Sequence, residues 1–119
     1  MVRKRATGAL EDEIMAYLWT TEAHATPSEV HAAVAPDLAY TTIMTVLTRL
    51  WSKGLLHRET RGRAYAYAPI NSEAEHRAQA MRSTLDHSGD RDAVLSTFVE
   101  SLSTRDVKRL RKLLAGDET

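Results

Sequence analysis

No cysteine occurs among the 119 residues, which excludes disulfides, thiolate metal sites and cysteine-based redox sensing together. Neither sign of charge is in excess, with 16 Lys and Arg against 16 Asp and Glu. A uniformly basic nucleic-acid binder is thereby ruled out, but a local basic patch is not. No apolar run approaches ~18 residues, so no membrane insertion is expected. The opening MVRKRATGAL has a basic cluster with no apolar segment behind it, unlike a signal peptide. A cytoplasmic location is the expectation that follows. No Ser-His-Asp grouping, phosphate loop or paired-acid pattern is present, so neither an enzyme nor a cofactor is expected. His24, His31, His57, His76 and His87 lack ligand spacing, so no metal is expected either.

What is present is mostly helical punctuation, in a composition of 43% apolar and 27% charged residues that suits a globular chain. Leu10, Ile14, Tyr17 and Leu18 recur at i, i+4, i+7 and i+8, one helix face. Trp19 extends that stripe, Thr7 is its expected cap, and Glu11, Asp12 and Glu13 suit the positive end of the helix. In TPSEV, Thr26 caps, Pro27 takes the first helical position and Glu29 closes a capping box. Val30 and Val34 face inward, and Pro36 ends this helix near Ala35. A third helix spans about Tyr40 to Lys53, burying Ile43, Val46, Leu47 and Leu50, with Gly54 as a left-handed cap. LLHRET and RAYAYAP read as two strands turning at Arg61-Gly62. Tyr65 and Tyr67 share one strand face, and Ala64, Ala66 and Ala68 the other. Three helical patterns follow. Asn71 or Ser72 caps the first, which carries Ala74, Ala78, Met81 and Leu85 until Gly89. Asp90 starts the second, with Val94, Leu95, Phe98 and Val99. Ser103 to Asp106 starts the third, with Val107, Leu110, Leu113 and Leu114.

Helix, helix, helix, hairpin is the order of a winged helix-turn-helix. The expected fold is therefore mostly α, with a winged-helix DNA-binding domain over residues 1–70 and a helical dimerisation region over 71–119. Around the third helix and hairpin, Arg49, Lys53, Arg58, Arg61 and Arg63 cluster against Glu59 alone. The third helix would turn Thr41, Thr42, Thr45, Thr48, Arg49 and Trp51 outward. Hydroxyls let a helix approach base edges, threonine methyls can meet thymine methyls, and Arg49 can fork onto guanine or phosphate. Threonine is a mediocre helix former, so repeating it on an exposed face needs a reason beyond solvation. Arg58, Arg61 and Arg63, at or beside the hairpin tip, are expected on the phosphate backbone. Protection of the strand edge by charge explains one or two of them, less well a cluster of one sign. Acids elsewhere, such as Glu11 to Glu13, are expected to lie mostly too far off to cancel the patch, screening at physiological salt limiting reach to ~8 Å.

GALEDEIMAYLW, TTIMTVLTRLWSKGLL and RGRAYAYAP resemble the penicillinase-repressor family of BlaI and MecI type. The resemblance is close from Ala9 to Ile70 and one of pattern beyond. It implies a homodimeric winged-helix repressor on palindromic operator DNA, controlling β-lactam-resistance genes. Carried over by motif, Thr42, Thr45 and Arg49 match positions that face bases or nearby phosphates, and Arg61 and Arg63 match the wing. Ala39-Tyr40-Thr41 stands where the family often has Ser-Pro-Lys. In the family a membrane sensor, signalled by a β-lactam, leads to cleavage in the fifth helix region. The matching bond is Thr97-Phe98, with Thr where Asn is usual.

The apolar stripes of residues 72 to 115 exceed what a small winged domain can cover, and such exposed surface usually marks association. Met81, Leu85, Val94, Phe98, Leu110 and Leu113 are the expected dimer contacts, which the resemblance also implies. An extension of the intramolecular core is the structural alternative. Other functions stay open: a repressor that binds a small ligand directly, or a winged helix used for protein contacts alone. The related copper-responsive type uses cysteine pairs, which are missing here.

Overall fold

Capping chemistry sets most element boundaries in the computed structural model, which describes residues 8–116. Helix α1 (Ala9–Thr20) starts at Gly8, whose φ is 85° and which makes no side-chain cap bond; the expected cap, Thr7, lies outside the described residues. Helix α2 (Pro27–Val34) has the full capping box. The Thr26 N–H donates to Glu29 Oε1 at 2.8 Å, and the Glu29 N–H donates to Thr26 Oγ1 at 3.3 Å. Helix α3 (Tyr40–Ser52) ends in a Schellman motif: Gly54 takes φ 82°, its N–H donates to Trp51 O at 3.0 Å, and the Leu55 N–H donates to Leu50 O at 3.0 Å.

Strands β1 (Leu56–Arg61) and β2 (Ala64–Pro69) form an antiparallel hairpin, with Leu56 opposite Pro69, Arg58 opposite Tyr67 and Arg61 opposite Ala64. The loop is Gly62-Arg63. Gly62 takes φ 63° while Arg63 keeps a negative φ, the combination of a II′ turn, whose twist matches the strands. Ala25 joins the sheet through a single bridge to Tyr67, N–H to O at 2.9 Å and 2.7 Å.

The core lies where α1, α2, α3 and the hairpin meet: Ile14, Met15, Leu18, Val30, Ile43, Val46, Leu47, Leu50, Leu56 and Tyr67 are buried. Full burial of such side chains stabilises by about 1.5–3 kcal/mol each. The four residues expected on the inner face of α3 are all among them. Tyr65 and Tyr67 share a face, as the period of two demands. Their burial differs, however: Tyr67 lies at the base and is 4% exposed, and Tyr65 lies toward the tip and is 44% exposed. Ala66, on the opposite face, is also buried, so position along the hairpin decides burial as much as face does.

The chain divides into two compact units, the first through His76 and the second from Arg77. Helix α4 (Glu73–Asp86) begins within the first. Ser72 caps it, its hydroxyl accepting from the Glu75 N–H at 3.1 Å while the Ser72 N–H donates to Glu75 Oε1 at 2.9 Å. Trp19 Nε1 donates to Asn71 O at 3.1 Å, and its ring meets His76 edge-on at 5.2 Å. Helices α5 (Arg91–Ser101) and α6 (Thr104–Leu114) are capped by Asp90 and Ser103. No described residue of α4, α5 or α6 is buried. None of the described helices is long and apolar enough to cross a membrane.

Candidate nucleic-acid interface

With its inner face filled by the core, α3 leaves Thr41, Thr42, Met44, Thr45, Thr48, Arg49 and Ser52 exposed. Five of these, Met44, Thr45, Thr48, Arg49 and Ser52, line one shallow hollow. Thr45 Oγ1 donates to Thr41 O at 2.9 Å. That bond engages the hydroxyl hydrogen and leaves Thr45 a methyl group and a free lone pair for any partner. Met44 was missed in the sequence reading, although the spacing 41, 44, 45, 48 places it on the threonine face. At the start of α3 the cap position is Ala39, which provides no side-chain acceptor. The Thr42 N–H donates to Ala39 O at 3.1 Å, which leaves the Tyr40 and Thr41 amides without a side-chain cap, an end of the helix that suits an anion. The turn before α3 is held by His31, whose Nε2 bonds Leu38 O at 2.6 Å and whose ring meets Tyr40 edge-on at 6.0 Å.

The basic cluster is less uniform than expected, and three of its members have internal partners. Lys53 Nζ lies 3.0 Å from Glu11 Oε1. Arg61 Nη1 lies 3.4 Å from Glu29 Oε1. The expectation that distant acids would not cancel the patch is thus overturned for these two, because folding brings α1 and α2 against the end of α3 and the wing. Arg58 is displaced from its expected place at the tip. Its guanidinium lies 3.5 Å from the Trp51 ring centroid and 4.0 Å from that of Tyr65. Tyr65 is the diagonal cross-strand neighbour of Arg58 on the same face, within reach of long side chains. Glu59 is itself engaged, 3.4 Å from His24 Nδ1. Among the described residues, Arg49 and Arg63 have no ion-pair partner, and both are exposed.

The one clear electrostatic perturbation near this surface is at Glu29. Its pKa is lowered first by the Thr26 N–H and then by the Thr26 hydroxyl; desolvation opposes them, and the Arg61 charge adds the weakest pull. Glu29 therefore stays ionised, closing the cap and holding Arg61 together.

Comparison with known proteins now bears on this arrangement. The penicillinase repressor family profile matches residues 7–116. The chain belongs to the penicillinase repressor family. It is 38% identical over 120 residues to the transcriptional regulator BlaI of Mycobacterium tuberculosis, covering 97% of this chain and 87% of that one, in both the CDC 1551 / Oshkosh and H37Rv strains. A crystal structure of MepR, a transcription regulator of the Staphylococcus aureus multidrug efflux pump MepA, aligns with a TM-score of 0.48 at 17% identity, covering 90% of this chain and 74% of that chain; no residue role is carried over from it. The fold is that of a mostly helical winged helix-turn-helix with a helical region after it, and penicillinase repressors are transcriptional regulators.

In this family member the second unit presents apolar surface. Met81, Leu85, Val94 and Phe98 line one apolar groove with Leu95. Leu110 and Leu113, on α6, do not line it; Leu110 is half-buried and Leu113 is 49% exposed. The Thr97-Phe98 bond lies inside α5 with both side chains exposed.

Proposed function

We propose that this protein is a sequence-specific transcriptional repressor of the cytoplasm that binds palindromic operator DNA as a homodimer. Residues 1–70 bind and residues 71–119 dimerise. Helix α3 enters the major groove, where Thr41, Thr42, Thr45 and Arg49 face bases or adjacent phosphates. The wing follows the backbone through Arg63, with Arg61 beside it. The observation that carries this reading is the outward face of α3: threonines and Arg49 stand exposed over a buried inner face, with Arg63 exposed on the wing, and neither arginine has a partner among the described residues. Within the basic cluster, two such cations beside an exposed threonine face support a phosphate-bearing ligand.

Dimerisation is supported by the apolar groove of Met81, Leu85, Val94 and Phe98 and by three helices without one buried residue. A second copy is the occupant that supplies a matching apolar surface and sets two half-sites on one face of DNA. The description of the family as penicillinase repressors supports control of β-lactam-resistance genes, and the motif match alone carries over a membrane sensor pathway that ends in cleavage at Thr97-Phe98. A bond inside a helix is shielded from proteases until the helix opens, so cutting there requires α5 to unwind.

The test is footprinting on the DNA upstream of the protein's own gene, then a salt-dependent titration with the protected duplex. Protection of a palindrome, with affinity falling linearly on a log–log salt plot, is the expected result. Equal binding to every duplex would reject sequence reading, and no binding at all would favour a winged helix used for protein contacts.

A further inference from the structure

Arg58 has the charge of a phosphate contact but the surroundings of a structural pin. It is sandwiched between the Trp51 ring, at the end of α3, and the Tyr65 ring on β2. Both rings are partly exposed, at 38% and 44%, so neither is needed to fill the core. On the opposite face of the hairpin, Glu59 meets His24 and Arg61 meets Glu29. The wing is therefore held from both faces, and the grip toward α3 is the stack in which the Arg58 guanidinium lies over both the Trp51 and Tyr65 rings. The stack joins the two elements that carry the exposed cations: Trp51 is on α3 with Arg49, and Tyr65 is on the hairpin with Arg63.

We infer that Arg58 is a positioning residue for DNA binding, fixing the wing against the end of α3 so that Arg63 reaches phosphate while α3 occupies the groove. This rests on the DNA-binding function proposed above and deepens it. A guanidinium suits the role because its flat, weakly hydrated face stacks on rings from both sides, whereas a lysine ammonium is a strongly hydrated point charge. The inference removes Arg58 from the set of phosphate contacts and makes its effect on DNA indirect, acting through Arg63.

The experiment compares the wild type with Arg58→Ala, Arg58→Lys, Arg63→Ala and the double variant Arg58→Ala/Arg63→Ala. Each is titrated with the footprinted duplex at several salt concentrations after urea unfolding shows it folded. Arg63→Ala should weaken binding about fivefold per engaged protomer near physiological salt and lower the salt slope by about one. Arg58→Ala and Arg58→Lys should do nearly the same, and the double variant should be no weaker than Arg63→Ala alone, because coupled residues are non-additive. Full affinity in Arg58→Lys, or an additive double variant with a further loss of slope, would show that Arg58 meets phosphate itself and overturn the inference. Wild-type affinity in Arg58→Ala would overturn it as well. With 5-fluorotryptophan incorporated, fluorine NMR without DNA should show the Trp51 resonance moving in Arg58→Ala and that of Trp19 staying put. An unmoved Trp51 resonance overturns the pin whatever the DNA does. A wild type that binds no duplex, with the Trp51 shift present, refutes the DNA reading and reduces the stack to a purely structural contact.

Discussion

Thr45 shows how one hydrogen bond narrows what a residue can offer. Its hydroxyl hydrogen is committed to Thr41 O, so the methyl group becomes its main outward feature. Thr45→Ser should lose a methyl contact of about 0.8 kcal/mol, roughly fourfold in affinity, for the footprinted duplex, whereas Thr45→Val should keep it; anisotropy titrations distinguish the two, and a loss in Thr45→Val with none in Thr45→Ser would assign the contact to the hydroxyl. At Glu29 the expected effect is on stability and depends on pH. Its folded pKa lies below its ordinary value because Thr26 donates to it twice and Arg61 adds a weaker pull. A depressed carboxylate contributes stability that is complete above the unfolded glutamate value, about 4.3, and is lost as pH falls through the lower folded value. Glu29→Gln should therefore be less stable than the wild type at pH 7, and the difference should vanish in acid. Urea unfolding along a pH series checks this, and a difference that persists below about pH 2 would contradict it.

Elements were legible in the sequence wherever their signals are local. The Thr26–Glu29 box, the Asp90 and Ser103 caps and the Gly54 terminator all act within a few residues, so spacing revealed them, whereas the next cap was narrowed only to Asn71 or Ser72 and the structure gives it to Ser72, paired with Glu75. The outward and inward faces of α3 followed from the same period. The partners of the basic cluster were not legible. Lys53 reaches Glu11 across 42 positions and Arg61 reaches Glu29 across 32, and only packing of α1 and α2 beside α3 and the wing creates those pairs. Arg58 was read as a tip residue because strand periodicity says which face it takes, not that Trp51 waits there. The α3 terminator makes its own prediction. Gly54 holds φ 82° with nothing within 4 Å of an added Cβ, so Gly54→Ala costs backbone strain alone, about 1 kcal/mol. A lowered urea midpoint with an unchanged slope is the expected readout, and an unchanged midpoint would mean the turn relaxes freely.

At the scale of the whole molecule, the account requires two copies. Phe98 is 42% exposed in the single chain, so Phe98→Asp should cost the monomer's fold little while placing charge in the proposed interface. Sedimentation should show the wild type as a dimer at micromolar concentration and Phe98→Asp as a monomer with weakened operator binding; a monomeric wild type would reject the interface. The central claim, that the exposed face of α3 reads DNA sequence, is tested most directly by titrating the wild type and Arg49→Ala against the footprinted duplex and a scrambled duplex of equal length at the same salt. The account predicts that Arg49→Ala loses about 1–3 kcal/mol on the footprinted duplex, roughly 5- to 150-fold per half-site, and much less on the scrambled one. Equal losses on both would make Arg49 a phosphate contact and contradict the claim.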